Sequence, residues 1–289
     1  MAVATWVTIF ATSSVPSPVS SSTPRVAPDK VSATTNAAVT RLTDFNRDGL
    51  TDLVARDDTG VLWLYPGFGA GGFQRWHPLD TGWGSFTAIA SPGDVTGDGN
   101  ADVLGRDAEG HLWLCPGTGG LGFGDLRQIG SGFNAMNLIT AAGDMTGDGH
   151  PDLLARDTTG KLWLYPLTGD GTLQPRRLVG LAWSGYDIIV APGDVTGDGQ
   201  ADLLARDKAG RLWLFWGYGT GDVSAGILVS SGWQAMTALI TPGNWDREGG
   251  NDLLARDAAG HLLLFPGDDA GGFGEPRQIG FGWNGFTIN

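Results

Sequence analysis

Asp94-Val95-Thr96-Gly97-Asp98-Gly99-Asn100-Ala101-Asp102-Val103-Leu104-Gly105-Arg106-Asp107, followed by Gly110-His111-Leu112-Trp113-Leu114-Cys115-Pro116-Gly117, is the stretch that opens this 289-residue chain to reading. It returns every fifty residues with no gap. The leading carboxylate recurs as Asp44, Asp94, Asp144 and Asp194 and becomes Asn244. A second recurs as Asp52, Asp102, Asp152, Asp202 and Asp252, and an Arg-Asp pair follows at Arg56/Asp57, Arg106/Asp107, Arg156/Asp157, Arg206/Asp207 and Arg256/Asp257. Fixed-period self-similarity of this kind marks a repeat architecture.

Each unit reads as four short strands. In the second unit these are Phe86–Ala90, Asp102–Arg106, His111–Cys115 and Leu126–Ile129. Asp107-Ala108-Glu109-Gly110 joins the second to the third, with Asp first and Gly fourth as a type I turn prefers. No stretch keeps helical periodicity over three turns. Leucine and aromatic residues stand on both sides of the third strand, at Leu112 and Trp113, so a unit cannot bury its faces alone and must stack on neighbours. The expected fold is all-β: a β-propeller of five four-stranded blades of 50 residues each, over residues 37–289. Ala37–Leu42 aligns with the first strand of a unit, and so does Phe286–Asn289 at the other end. Either the C-terminal piece pairs into the first blade and closes the ring, or the natural chain runs longer.

Residues 1–36 are different. Ala2–Ala11 is a short apolar run, too short to span a membrane and similar to the apolar centre of a secretory signal, although no Lys or Arg precedes it. Ser13–Asn36 is rich in Ser, Thr, Pro and Ala and has little to bury, as in a disordered linker. The location expected from this segment is secreted or extracellular, without membrane insertion. A formal charge of −13 argues against nucleic acid as partner, because phosphate binding needs a basic face. The single cysteine, Cys115, stands where other units have Tyr65, Tyr165, Phe215 and Phe265 and reads as a buried apolar stand-in.

The acidic loops carry the chemistry. Oxygen donors at loop positions one, three, five and nine, with a backbone carbonyl at seven, can wrap a hard cation, and glycine at six permits the sharp turn. The candidate ligands are Asp44, Asn46, Asp48, Leu50 and Asp52; Asp94, Thr96, Asp98, Asn100 and Asp102; Asp144, Thr146, Asp148, His150 and Asp152; and Asp194, Thr196, Asp198, Gln200 and Asp202. Leu50 and His150, at position seven, would offer only their carbonyls. No His or Cys recurs in the loops, so calcium suits them better than a transition metal. The fifth loop is degenerate: Asn244, Asp246, Glu248 and Asp252 remain, and Arg247 has entered. Four calcium ions would take the charge from −13 by +8 to −5.

The pattern Gly-Asp-Val-Thr-Gly-Asp-Gly-x-x-Asp-Leu-Leu, followed by Gly-x-Leu-Trp-Leu-Tyr-Pro-Gly, resembles the FG-GAP and VCBS repeats of integrin-α-like propellers, from about Asn36 to the C-terminus. The resemblance implies the propeller and its calcium. The chain departs from it in two respects: Gly-Ala-Pro is replaced by Ala-Arg-Asp (or Gly105-Arg106-Asp107), and the units number five where integrin-type rings have seven.

Trp83, Phe133, Trp183, Trp233 and Trp283 lie in the segment between one blade and the next, near an interblade groove. Exposed, they would stack on sugar rings; buried, they would wedge the blades together. Gly67–Gly72 and Gly117–Gly122 fit Gly-x-Gly-x-x-Gly, but a β segment follows where a dinucleotide site needs a helix. No nucleophile elbow or zinc-protease helix is present. The expected function is a non-catalytic, calcium-dependent binding module, lectin-like or adhesive, for a glycan or a cell-surface protein. The alternative is an accessory domain of a secreted hydrolase system with no ligand of its own.

Overall fold

The computed structural model describes residues 43–288. The signal-like and Ser/Thr/Pro-rich stretches, the Ala37–Leu42 strand and Asn289 lie outside them. The described residues form five four-stranded antiparallel sheets. Blade one has β1 (Leu53–Asp57), β2 (Leu62–Tyr65) and β3 (His77–Asp80). Blade two has β4 (Phe86–Gly93), β5 (Asp102–Asp107), β6 (Leu112–Cys115) and β7 (Arg127–Gly130). Blade three has β8 (Met136–Gly143), β9 (Asp152–Asp157), β10 (Leu162–Pro166) and β11 (Arg177–Gly180). Blade four has β12 (Tyr186–Gly193), β13 (Asp202–Asp207), β14 (Arg211–Phe215) and β15 (Ile227–Ser231). Blade five has β16 (Met236–Gly243), β17 (Gly250–Asp257), β18 (Leu262–Gly267) and β19 (Arg277–Gly280). The last strand of the chain, β20 (Phe286–Ile288), belongs to blade one. It pairs with β1 through Ala55↔Ile288, Arg56↔Thr287 and Asp57↔Phe286. The ring therefore closes by its C-terminal strand, which takes the inner place for which the sequence also offered Ala37–Leu42.

Neighbouring inner strands pack around the central axis, where Ile89, Thr140, Ala191 and Ile240 line one cavity. The core is not one mass but a set of layers between blades. Val54, Leu62 and Leu64 of blade one meet Ile89, Val103 and Cys115 of blade two. Leu254, Leu262 and Leu264 of blade five meet Leu53, Ala55 and Ile288 of blade one. Cys115 is buried, and that burial first, with Asp80 and Asp102 nearby, pushes its thiol up to about 12. It is the packing residue that its alignment with Tyr and Phe suggests.

The Arg-Asp pair divides its labour. Asp107 accepts the His111 amide and the Trp113 indole N–H, both at 2.8 Å, and so closes the hairpin between β5 and β6. Asp57 does the same with Val61 and Trp63, at 2.9 and 2.7 Å. The arginine reaches elsewhere. Arg56 donates to the carbonyls of Trp83 and Phe86, across the junction to blade two. Arg106, Arg156, Arg206 and Arg256 repeat this at the later junctions. The sequence suggests that the pair together holds the hairpin turn; the structure gives the turn to the aspartate and the blade junction to the arginine.

Two outcomes are expected. Deleting residues 286–289 exposes the free edge of β1 and the layer around Ile288, and lowers unfolding free energy by about 3–5 kcal/mol in a denaturant titration. The second concerns the turn. Partial burial works to raise Asp57 and Asp107, but the hydrogen bonds they accept outweigh it and hold both at about 2, below the ordinary 3.8. A carboxylate depressed on folding stabilises above its unfolded pKa, and that stability is lost as pH falls through the folded value. Asp107→Asn therefore lowers the thermal midpoint at pH 5, and the gap from wild type closes between about pH 4 and pH 2. A gap unchanged at pH 2 would contradict this.

Candidate metal loops and interblade clefts

Acidic loops two to five each join the inner strand of a blade to its second strand, and loop one leads into β1. In loop two, Asp94 accepts the Gly97 amide through Oδ1 at 2.7 Å and the Gly99 amide through Oδ2 at 2.8 Å. Asp144 and Asp194 repeat this with Gly147/Gly149 and Gly197/Gly199. In loop one, Asp44 accepts the Asp48 and Gly49 amides at 3.2 and 3.0 Å. The turn at position six needs φ between 82° and 88°, at Gly49, Gly99, Gly149 and Gly199, which glycine adopts without strain. The fifth-position carboxylates Asp48, Asp98, Asp148 and Asp198 each accept the amide two residues on.

The ninth-position aspartate, a candidate ligand in the sequence, also has a structural part within its blade. Asp102 Oδ2 accepts the amides of Val95 and Thr96 at 2.9 and 3.0 Å, and its Oδ1 accepts that of Gly117 at 2.8 Å. Asp52, Asp202 and Asp252 make the same three bonds. This residue ties the acidic loop to the glycine-rich loop of its own blade. Burial first, against those amides, pushes Asp52, Asp152 and Asp202 up to about 7 and Asp102 and Asp252 up to about 6. Carboxylates of the loop itself, such as Asp48 beside Asp52 and Asp94 beside Asp102, push in the same direction.

The donors fit a hard cation. They are all oxygens. The Thr96, Thr146 and Thr196 hydroxyls lie 3.5, 3.5 and 3.4 Å from the leading carboxylates Asp94, Asp144 and Asp194. Two ligands about 2.4 Å from one calcium and at right angles are roughly 3.4 Å apart. Asn100 Oδ1 in loop two and Asp152 Oδ1 in loop three are buried without a partner. Leu167 stands beside Asp152 where other blades have Gly67, Gly117, Gly217 and Gly267. Among the described residues, one His/Asp/Glu trio has ligand atoms within 4.8 Å of one another, Asp107, Glu109 and His111. Asp107 there already accepts the His111 amide and the Trp113 indole, so the trio is a closed turn.

The blade-junction aromatics are not platforms. Trp83, Phe133, Trp183, Trp233 and Trp283 are between 2% and 6% exposed. Each opens a single 3₁₀ turn whose first amide donates to the hairpin glycine, as Trp83 does to Gly60 at 3.0 Å. The rings floor the junctions; Trp283 lies 4.5 Å from Tyr65 and Trp233 4.6 Å from Phe265. The reading of this set as exposed sugar-stacking rings is corrected by that burial: the large rings are spent on joining blades.

Clefts nevertheless lie above these floors, and other aromatics line them. At the junction of blades one and two, Trp113, Leu126, Asp80, Thr81 and Glu109 border a cleft of about 830 Å³. At the junction of blades five and one, the seam of the ring, Trp76, Tyr65, Gln74, Gln278 and Phe281 border one of about 560 Å³. Trp76 is 58% exposed and Phe281 84%. Burial pushes the Tyr65 phenol up to about 12, with Asp57 adding to it, so it stays protonated. Gln74 donates to Asp48 of loop one at 2.9 Å and so links the seam cleft to an acidic loop. Trp76 and Phe281 fall where the other units have Leu126, Arg176, Gly226 and Pro276, and Thr81, Ser131, Leu181 and Ser231. Their signal in the sequence is departure from the repeat.

The FG-GAP-like repeat profile matches residues 44–105, 94–155 and 144–205, together more than half of the chain. No curated protein sequence matches it. Among solved structures, the BP39L lectin from Burkholderia pseudomallei is similar, with 19% identity and a TM-score of 0.53 over 82% of this chain and 68% of that one. A lectin from Agrocybe aegerita, solved for its recognition of non-reducing terminal N-acetylglucosamine, gives 21% identity and a TM-score of 0.48 over 80% of this chain and 66% of that one. A Photorhabdus luminescens Tc holotoxin pore gives 17% and 0.45 over 85% of this chain and 12% of that one. The chain thus spans about two thirds of either lectin's length. With the fifty-residue repeat, the acidic loops and the closed ring of blades, the profile match shows that the chain belongs to the FG-GAP-like repeat family.

Proposed function

We propose that this propeller is a secreted, non-catalytic sugar-binding module whose acidic loops are filled by calcium. The observation that carries the sugar reading is the seam cleft, with Trp76 and Phe281 exposed beside Gln74 and Gln278. A sugar ring offers an apolar face for aromatic stacking and hydroxyls for amide groups, and this cleft supplies both. Its volume of about 560 Å³ falls within the span of small-ligand sites. That a lectin is built on a similar propeller is compatible with this use of the fold.

Calcium enters as a brace. The residues that would hold it are those at positions one, three, five and nine of loops one to four, with the position-seven carbonyls. Bound there, the ion supplies positive charge to carboxylates that otherwise repel one another. The glycine-rich loop of the next blade rests on these loops: Gly221 donates to Met145 at 2.8 Å and Gly271 to Val195 at 2.7 Å. Cations in the loops therefore stiffen the contact between blades. At free calcium ten times the dissociation constant, one site contributes about 1.4 kcal/mol and four contribute about 6 kcal/mol.

Excess EDTA is expected to lower the thermal midpoint by about 10–20 °C; an unchanged midpoint removes calcium from the proposal. On a glycan array with calcium present, the protein is expected to bind, and Trp76→Ala or Phe281→Ala to weaken binding at least about tenfold. Leu126→Ala, at the junction of blades one and two, serves as the comparison and leaves the seam cleft intact. Absence of glycan binding by the calcium-loaded protein sinks the sugar reading.

A further inference from the structure

Loop five lies at the seam and is built on different chemistry from the others. We infer that the Arg277 guanidinium occupies the electrostatic role of a fifth cation, so that the seam is latched without metal while the other four junctions depend on it. The contrast with those junctions rests on calcium filling loops one to four.

Position three of loop five is Asp246, whose side chain is 5% exposed, and Arg277 Nη2 from β19 of the same blade meets its Oδ2 at 2.9 Å. The equivalent arginines do not do this. Arg127 donates to the Asp170 carbonyl and Arg177 to the Thr220 carbonyl, both in the glycine-rich loop of the next blade. Arg277 also faces the next blade: a β-carbon at Gly71 of blade one would collide with its Nη2. One guanidinium thus touches both sides of the seam and neutralises the buried carboxylate there.

The rest of loop five has moved away from a cage. Asn244 replaces the leading aspartate, removing one charge, and its Nδ2 donates to the Gly249 carbonyl at 2.9 Å. Its Oδ1 is buried without a partner, which leaves one neutral donor where the other loops have a carboxylate. β17 begins at Gly250, two residues before β5, β9 and β13 begin in their units, and Gly250 pairs with Gly267. Position seven is therefore in the ladder and not on a free loop. Loop five itself carries Asp246, Glu248 and Asp252 against Arg247, a net −2, where loop two carries Asp94, Asp98 and Asp102, a net −3, and Arg277 brings a further positive charge onto Asp246 from β19. Trp245 at position two, fully buried, packs on Phe73 of blade one with ring centroids 5.1 Å apart. The aromatic contact crosses the seam, and the ion pair within blade five holds its guanidinium against Gly71 on the far side.

The test measures bound calcium per chain by elemental analysis after desalting from calcium buffer, alongside thermal midpoints of wild type, Arg277→Gln, Asp246→Asn and the double variant that combines them. Four ions are expected for wild type and for both variants. Arg277→Gln is expected to lower the midpoint by about 2–4 °C or more, by the same amount in calcium and in EDTA. Asp246→Asn relieves the buried charge, so the double variant falls no further than Arg277→Gln alone. Five ions in wild type, or an Arg277→Gln midpoint equal to wild type in EDTA, overturns the inference. No bound calcium in any protein overturns the calcium reading of loops one to four, and the EDTA midpoints then still decide whether Arg277 latches the seam.

Discussion

A four-stranded sheet with leucine on both faces has no stable life alone. Leu62 and Leu64, with Leu112, Leu114, Leu162, Leu164, Leu212, Leu214, Leu262 and Leu264, lie on one face of their blades and Leu53, Val103, Leu153, Leu203 and Leu253 on the other; all are buried at 0–2%, on strands whose only cover is another blade. The apolar layers between blades follow from this, and so does the ring: each blade needs two neighbours, and a closed circle is the arrangement in which none lacks one. Everything else in the molecule sits at the two ends of those layers. Arginines clamp the junctions at the hairpin end, and acidic and glycine-rich loops interlock at the other.

The division of ends explains why the repeat tolerates variation so unevenly. Arg56 and its counterparts never change, because each guanidinium donates to two carbonyls where one blade hands the chain to the next, adding to the Phe86-type backbone N–H that already closes the turn on the first of them. The loop end can vary so long as charge is compensated, and loop five shows one such solution in a guanidinium.

Much of this is legible in the amino-acid order alone. The fifty-residue phase and the alternating leucines locate strands close to those observed: Asp102–Arg106 is expected where Asp102–Asp107 is found, and Leu126–Ile129 where Arg127–Gly130 is found. The loops are legible as carboxylate-rich turns, because charge spacing is local information. What depends on three-dimensional neighbours is not. The ninth aspartate reads as a loop residue alone, and its tie to the Gly117 amide, fifteen residues away, is not visible in the loop's own spacing. The Trp83 set looks like a candidate binding row because it repeats, yet a ring that recurs at every junction is what packing demands there. Trp76 and Phe281 escape notice for the opposite reason: they break the repeat, and only the fold brings these two positions, one near each end of the ring, into one cleft.

Because β20 is the inner strand of blade one, the first blade to leave the ribosome is the last to be finished. Blades two to four find their partners in order as translation proceeds, while β1 gains β20 only once residues 286–288 are made. At about 5–20 residues per second the interval from β1 to β20 is roughly ten to fifty seconds. During that time the described blades form an arc whose closing layer, around Ile288, is still incomplete.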